Sequence, residues 1–104
     1  MSQAAHSLPP RSYTTSQRFI HPQVKFLAPS LQLLVTDEDG DGIIVVSDEI
    51  SSVYGEGETD ADAVQDYLQN LVSQFLYLED HESQLAPGLQ AELMSLRRHM
   101  MRAS

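Results

Sequence analysis

The chain has 104 residues, 41% of them hydrophobic, no cysteine and a net charge of −9, which is enough for one domain with a modest core. The missing cysteines exclude a disulfide framework, a thiolate zinc site and a cysteine nucleophile. No apolar run approaches the roughly 20 residues of a membrane span, and the N-terminus lacks the layout of a secretory signal, so a cytoplasmic protein is expected.

The charge is unevenly placed. All fifteen acids fall between Asp37 and Glu92, an interval without a single Lys or Arg; Arg11, Arg18 and Lys25 precede it, and Arg97, Arg98 and Arg102 follow it. A surface built from that interval repels phosphate, which argues against direct nucleic-acid binding. Solubility alone explains it as well as attraction of a basic partner does.

Residues 1–22 are rich in Ser, Thr, Gln and Pro without periodicity and read as a flexible N-terminal arm, with Phe19 and Ile20 docking at its end. Residues 23–104 then form a single α+β domain. "VKFLAPSLQLLV" (24–35) is apolar but interrupted by Pro29, which fits an edge strand, a bulge or two short strands. "GIIVV" (42–46) is a β-branched run of the kind found in a buried strand, and "ISSVYG" (50–55) is a third extended piece. The short linkers between them predict a three-stranded antiparallel β-meander.

From Thr59 the period changes. Thr59 can cap a helix, with Asp62 three residues on as a capping-box acid. Ala63, Val64, Tyr67, Leu68, Leu71, Val72, Phe75 and Leu76 recur at helical spacing as far as about Asp80, a stripe expected to cover the sheet. After "HESQLAPG", Pro87 opens a second, C-terminal helix. Leu89, Leu93, Leu96 and Met100 mark its apolar face, and Arg97, Arg98 and Arg102 lie near its end. The expected order is β-β-β-α-α.

The segment "DEDGDGIIVVSD" (37–48) has the ligand spacing of an EF-hand loop, with Asp37, Asp39, Asp41 and Asp48 as carboxylate ligands and glycine at the sixth position. Its flanks weigh against that reading. Pro29, Val35 and Thr36 leave no room for an entering helix, Gly55 and Gly57 cut short an exiting one, and Ile-Ile-Val-Val suits a strand buried on both faces. A hairpin turn is the favoured reading, so no metal or cofactor is expected. The four histidines show no metal-ligand spacing. Glu56 and Glu58 could form an acid–base pair, but acids are common enough here for coincidence. "YGEGET" lacks the lysine of a phosphate-binding loop. Catalysis is not expected, and no catalytic residue is assigned.

The strand–acidic turn–strand–strand order, followed by "VYGEGETDADAVQDYLQNLV", resembles the HicB-like antitoxin family over roughly residues 31–80. Family members carry a glycine–acid–threonine step and then acids and alanine at a helix start; here these are Gly57, Glu58, Thr59, Asp60, Asp62 and Ala63. The resemblance implies a partial RNase H-like sheet and helix without catalytic residues, dimerisation, and a cognate HicA-type toxin, a small basic RNase. Two features depart from the family. Its members commonly return to a strand after the helix, whereas 81–104 reads as helical, and the DNA-binding module of many members has no room here. The expectation is a non-enzymatic homodimeric module that sequesters a basic protein partner. A dimeric scaffold subunit and a calcium-binding protein are the alternatives.

Overall fold

The computed structural model describes residues 11–14, 20–37 and 42–103, with Arg11 and Thr14 described in backbone only. Six strands and two α-helices follow one another as β1 (Arg11–Thr14), β2 (Val24–Phe26), β3 (Gln32–Thr36), β4 (Ile44–Asp48), β5 (Tyr54–Gly57), α1 (Asp60–Asp80), α2 (Pro87–Leu96) and β6 (Met100–Arg102). A single 3-10 turn at Glu82–Gln84 joins the helices. The fold is α+β as expected, but the three-stranded meander is not what forms. A four-stranded antiparallel sheet runs β1-β3-β4-β5, and β2 and β6 make a separate antiparallel pair.

Three local differences produce that change. Arg11–Thr14, expected within the flexible arm, pairs with Gln32–Val35, and the Tyr13 hydroxyl donates to Asp60 at the start of α1 (2.8 Å). Four mixed residues carry no periodic signal, so only the neighbouring strand defines them. Residues 1–10 and 15–19 of the expected arm, Phe19 among them, lie outside the described residues, and Ile20 is exposed instead of docked. Second, the segment around Pro29 resolves into two short strands in different sheets, because proline cannot donate to a ladder. Third, the C-terminal helix stops at Leu96. The amides of Arg97, Arg98 and His99 bond to Leu93, Ser95 and Leu96 in a closing turn, and Met100 continues as strand. Met100 is fully buried, and its place four residues after Leu96 fitted a helix face equally well.

The order of the strands follows from which face each one buries. Leu33 and Val35 of β3 and Ile44 and Val46 of β4 point inward, while Leu34 and Ile43 are exposed. The Ile-Ile-Val-Val run is therefore buried on one face, not two, as in an antiparallel sheet with one side toward water. Gly42 carries the chain into β4 at φ 90°, a conformation side chains resist. α1 covers the inner face with Ala63, Tyr67, Leu71, Val72, Phe75 and Leu78. Its start is set by Thr59, whose side chain accepts from the Asp62 amide (3.1 Å). Val24, Phe26 and Leu31 join Leu85, Leu93, Leu96 and Met100 to extend the same core beyond the sheet.

The helix sits on β5 with nothing between the two backbones. A Cβ at Gly55 would lie 2.7 Å from the Ala63 carbonyl oxygen, and one at Gly57 would lie 2.6 Å from the Ala63 amide nitrogen. Both separations are below any real contact, and the obstructing atoms are backbone, so they cannot rotate away. Gly55→Ala is expected to cost about 3 kcal/mol or more in urea unfolding, at or beyond the upper end of overpacking penalties. Gly88→Ala in α2, where an added Cβ meets nothing within 4 Å, should be neutral or stabilising by about 0.5 kcal/mol.

Candidate binding surface

The bend after β4 is held by one carboxylate. Asp48 accepts from the amides of Ile50 (2.7 Å) and Ser51 (2.5 Å), from the Ser51 hydroxyl (2.7 Å) and from the buried Tyr67 hydroxyl of α1 (2.5 Å). Burial, reinforced by the adjacent carboxylate, pushes the ionisation of Tyr67 far above that of a free phenol. Tyr67 therefore stays a donor, which suits an acceptor-only carboxylate.

This arrangement bears on what Asp37 and Asp48 of the acidic segment can do together. Asp37 lies buried just past β3, beyond the Thr36–Val45 pair, while Asp48 stands opposite Leu33. Four ladder positions separate them, about 13 Å along the strands, too far for two carboxylates to share one ion. Strands flank the segment where an EF-hand has helices. Asp39 and Asp41 lie outside the described residues. Among the described residues no group of three or more His, Asp or Glu is placed to hold a metal. Glu56 and Glu58 are exposed at β5 and just after it, and the Glu56 backbone amide donates to Asp66 of α1.

That last bond belongs to a second feature that periodicity does not reveal. β5 is an edge strand of the sheet, and edge backbone groups invite another strand. Here Asp66 accepts from the Glu56 amide (2.9 Å), and the Asn70 side-chain amide donates to the Tyr54 carbonyl (2.9 Å). Two polar side chains one helical turn apart thus occupy two of the outward backbone groups of β5, one on each outward residue. Beside them runs a cleft of about 750 Å³, from the Glu56–Asp66 bond past Tyr54 and Asn70 to Ser73 and Tyr77. Tyr54 and Tyr77 are 57% and 54% exposed along it. An Asp and an Asn on the polar face of an amphipathic helix look like ordinary solvent-facing residues. The only sequence signal was their four-residue spacing opposite a glycine-containing strand.

The opposite end of α1 is neutralised. Arg97 bonds Glu79 (3.2 Å) and Glu82 (2.7 Å), and Arg102 bonds Glu79 (3.2 Å) and Asp80 (2.8 Å). α1 has no basic residue in its own last turn, so these arginines also supply the positive charge favoured near a helix C-terminus. Glu56, Glu58, Asp62 and Asp66, by contrast, form no ion pair with Lys or Arg among the described residues. The acidic interval of the sequence is therefore divided in space: Glu79, Asp80 and Glu82 are paired with arginines at the C-terminal end of α1, while Glu56, Glu58, Asp62 and Asp66 lie toward its N-terminal end. No helix of the described residues is long and apolar enough to cross a membrane.

Tyr67→Phe should lower stability by about 1–2 kcal/mol in chemical denaturation, since it strips a buried donor from a half-buried carboxylate. The hydrogen bond from Arg97 holds the Glu82 carboxyl below the usual glutamate range. The support from that pair is therefore complete at neutral pH and is lost as the pH falls through the lowered value. A carbon-detected NMR titration should show a low Glu82 midpoint that rises to the ordinary one in Arg97→Ala. No family model, curated protein or solved structure matches this chain.

Proposed function

We propose that the chain is a non-enzymatic, HicB-like antitoxin-type module that sequesters a basic protein partner such as a HicA-type mRNA interferase. One observation carries the reading: Arg97 and Arg102 pair with Glu79, Asp80 and Glu82, while among the described residues Glu56, Glu58, Asp62 and Asp66 at the β5–α1 end form no ion pair with Lys or Arg. Groups that a small nuclease uses to grip RNA phosphates are the groups such a surface attracts, and the encounter is accelerated by the net charge. Inhibition is then steric as well as electrostatic, because the partner's cationic face is covered.

Three further features support the family resemblance. Gly57 and Ala63, part of the quoted step, are among the residues through which β5 and α1 touch. Thr59 fills the capping position that the step assigns to it. A strand after the helices, the family feature that the helical reading of 81–104 leaves out, is present as β6. Homodimerisation belongs to the same proposal, and the capped β5 edge directs a second copy toward the β1 side of the sheet or toward α2. Cytoplasmic residence belongs to it as well.

The test is capture from the native host followed by an activity assay. A small basic protein should be retained, should cleave RNA once separated, and should be silenced by stoichiometric addition of this chain. Retention of a large multi-subunit assembly without nuclease activity would instead identify a scaffold subunit.

A further inference from the structure

We infer that the cleft along the outer edge of β5 is a docking site for an extended, arginine-bearing segment of a protein partner; this rests on the reading of the chain as a module for basic partners and names where the contact is made. The capped strand edge comes first in the argument. With the Glu56 amide and the Tyr54 carbonyl already bonded to Asp66 and Asn70, a ligand that added a strand would have to displace both side chains. One that leaves them in place is recognised through side chains.

The side chains present select for one kind of ligand. Carboxylates of Glu56 and Asp66 stand at one end, and among the described residues no Lys or Arg lines the cleft. Tyr54 and Tyr77 each leave more than half their surface to solvent beside this single cleft. Single exposed aromatics are unremarkable, but two flanking the same carboxylate-bearing groove offer ring faces to a cation. The Tyr77 ring is held in place by stacking on His81, with centroids 4.3 Å apart. A planar guanidinium can stack on a phenol while bonding a carboxylate, which a lysine ammonium does less well. Nucleic acid is disfavoured because its phosphates would meet Glu56 and Asp66.

The length of the site limits the ligand. Asp66, Asn70, Ser73 and Tyr77 share one stripe of α1, and the twelve residues from first to last span about 16 Å. An extended peptide covers that distance in about five residues. A segment with one arginine at the carboxylate end and a second at the tyrosine end, three or four residues apart, would fill the cleft.

The experiment uses the full chain and a fluorescein-labelled Gly-Arg-Ser-Gly-Arg-Gly peptide, read by fluorescence anisotropy at low salt, with amide NMR shifts to locate the contact. Perturbed amides should cluster at Val53–Glu56 and Asp66–Tyr77. Glu56→Gln, Tyr54→Ala and Tyr77→Ala should each weaken binding about threefold or more, in keeping with exposed cation–π and ion-pair contributions. Asp62→Asn, which removes the same charge outside the cleft, should change it less, and a peptide with lysine for both arginines should bind more weakly. All of these substituted side chains are exposed, and circular dichroism will confirm that each variant is folded.

The inference is overturned if the peptide fails to bind at millimolar concentration. It is equally overturned if Asp62→Asn matches Glu56→Gln while both tyrosine variants are silent, since that is charge attraction without a site. The two proposals separate cleanly. A nuclease captured and silenced undiminished by a Tyr54→Ala, Tyr77→Ala double variant would remove the cleft and leave the antitoxin reading. Peptide binding localised to the cleft, with no nuclease captured, would do the reverse.

Discussion

The direct seating of α1 on the backbone of β5 is the constraint from which the rest of the structure follows. Two glycines two residues apart place both missing side chains on one face of the strand, and the backbones of Ala63 and Tyr67 occupy the space they leave. With the axis brought that close, the polar flank of the helix overhangs the strand edge, so Asp66 and Asn70 can reach the outward backbone groups. A helix held away by ordinary side chains would cover the sheet but leave that edge open. Helix packing and edge protection are thus one feature here.

The remaining contacts keep the helix in register along that strand. At the middle of α1, Tyr67 reaches across to Asp48, which also organises the bend leading into β5. At its C-terminus, Arg97 and Arg102 tie Glu79, Asp80 and Glu82 to the end of α2 and to β6. Exposed pairs of this kind contribute little individually. Their larger consequence is distribution of charge, because they neutralise one end of the molecule and leave the β5 end acidic.

A carboxylate-rich segment can serve very different ends, and the structure divides this one by position. Asp48 is consumed internally, Asp66 is shared between a backbone amide and the cleft, and Glu56 faces outward. The EF-hand spacing of residues 37–48 gathers Asp37 and Asp48 around one ion only if the chain closes into a loop. With Asp37 just past β3 and Asp48 at the far end of β4, the hairpin holds them four ladder positions apart.

The sequence alone determined the local elements whose signals are dense. The twenty-one-residue helix α1, its Thr59 cap and its end near Asp80 were all legible, because eight apolar residues at helical spacing and a capping side chain agree. The β-branched run at β4 and the proline opening α2 were legible for similar reasons. Tertiary structure decided what those signals leave open. Strands of three or four residues, as in β1, β2 and β6, are too short to show a period, and they exist only because a partner strand supplies their hydrogen bonds. Met100 fitted a helix or a strand equally until the backbone around it was placed. The cleft was hidden for the same reason: its walls are one turn of a helix and the edge of a strand, and only their approach over Gly55 and Gly57 makes them a site.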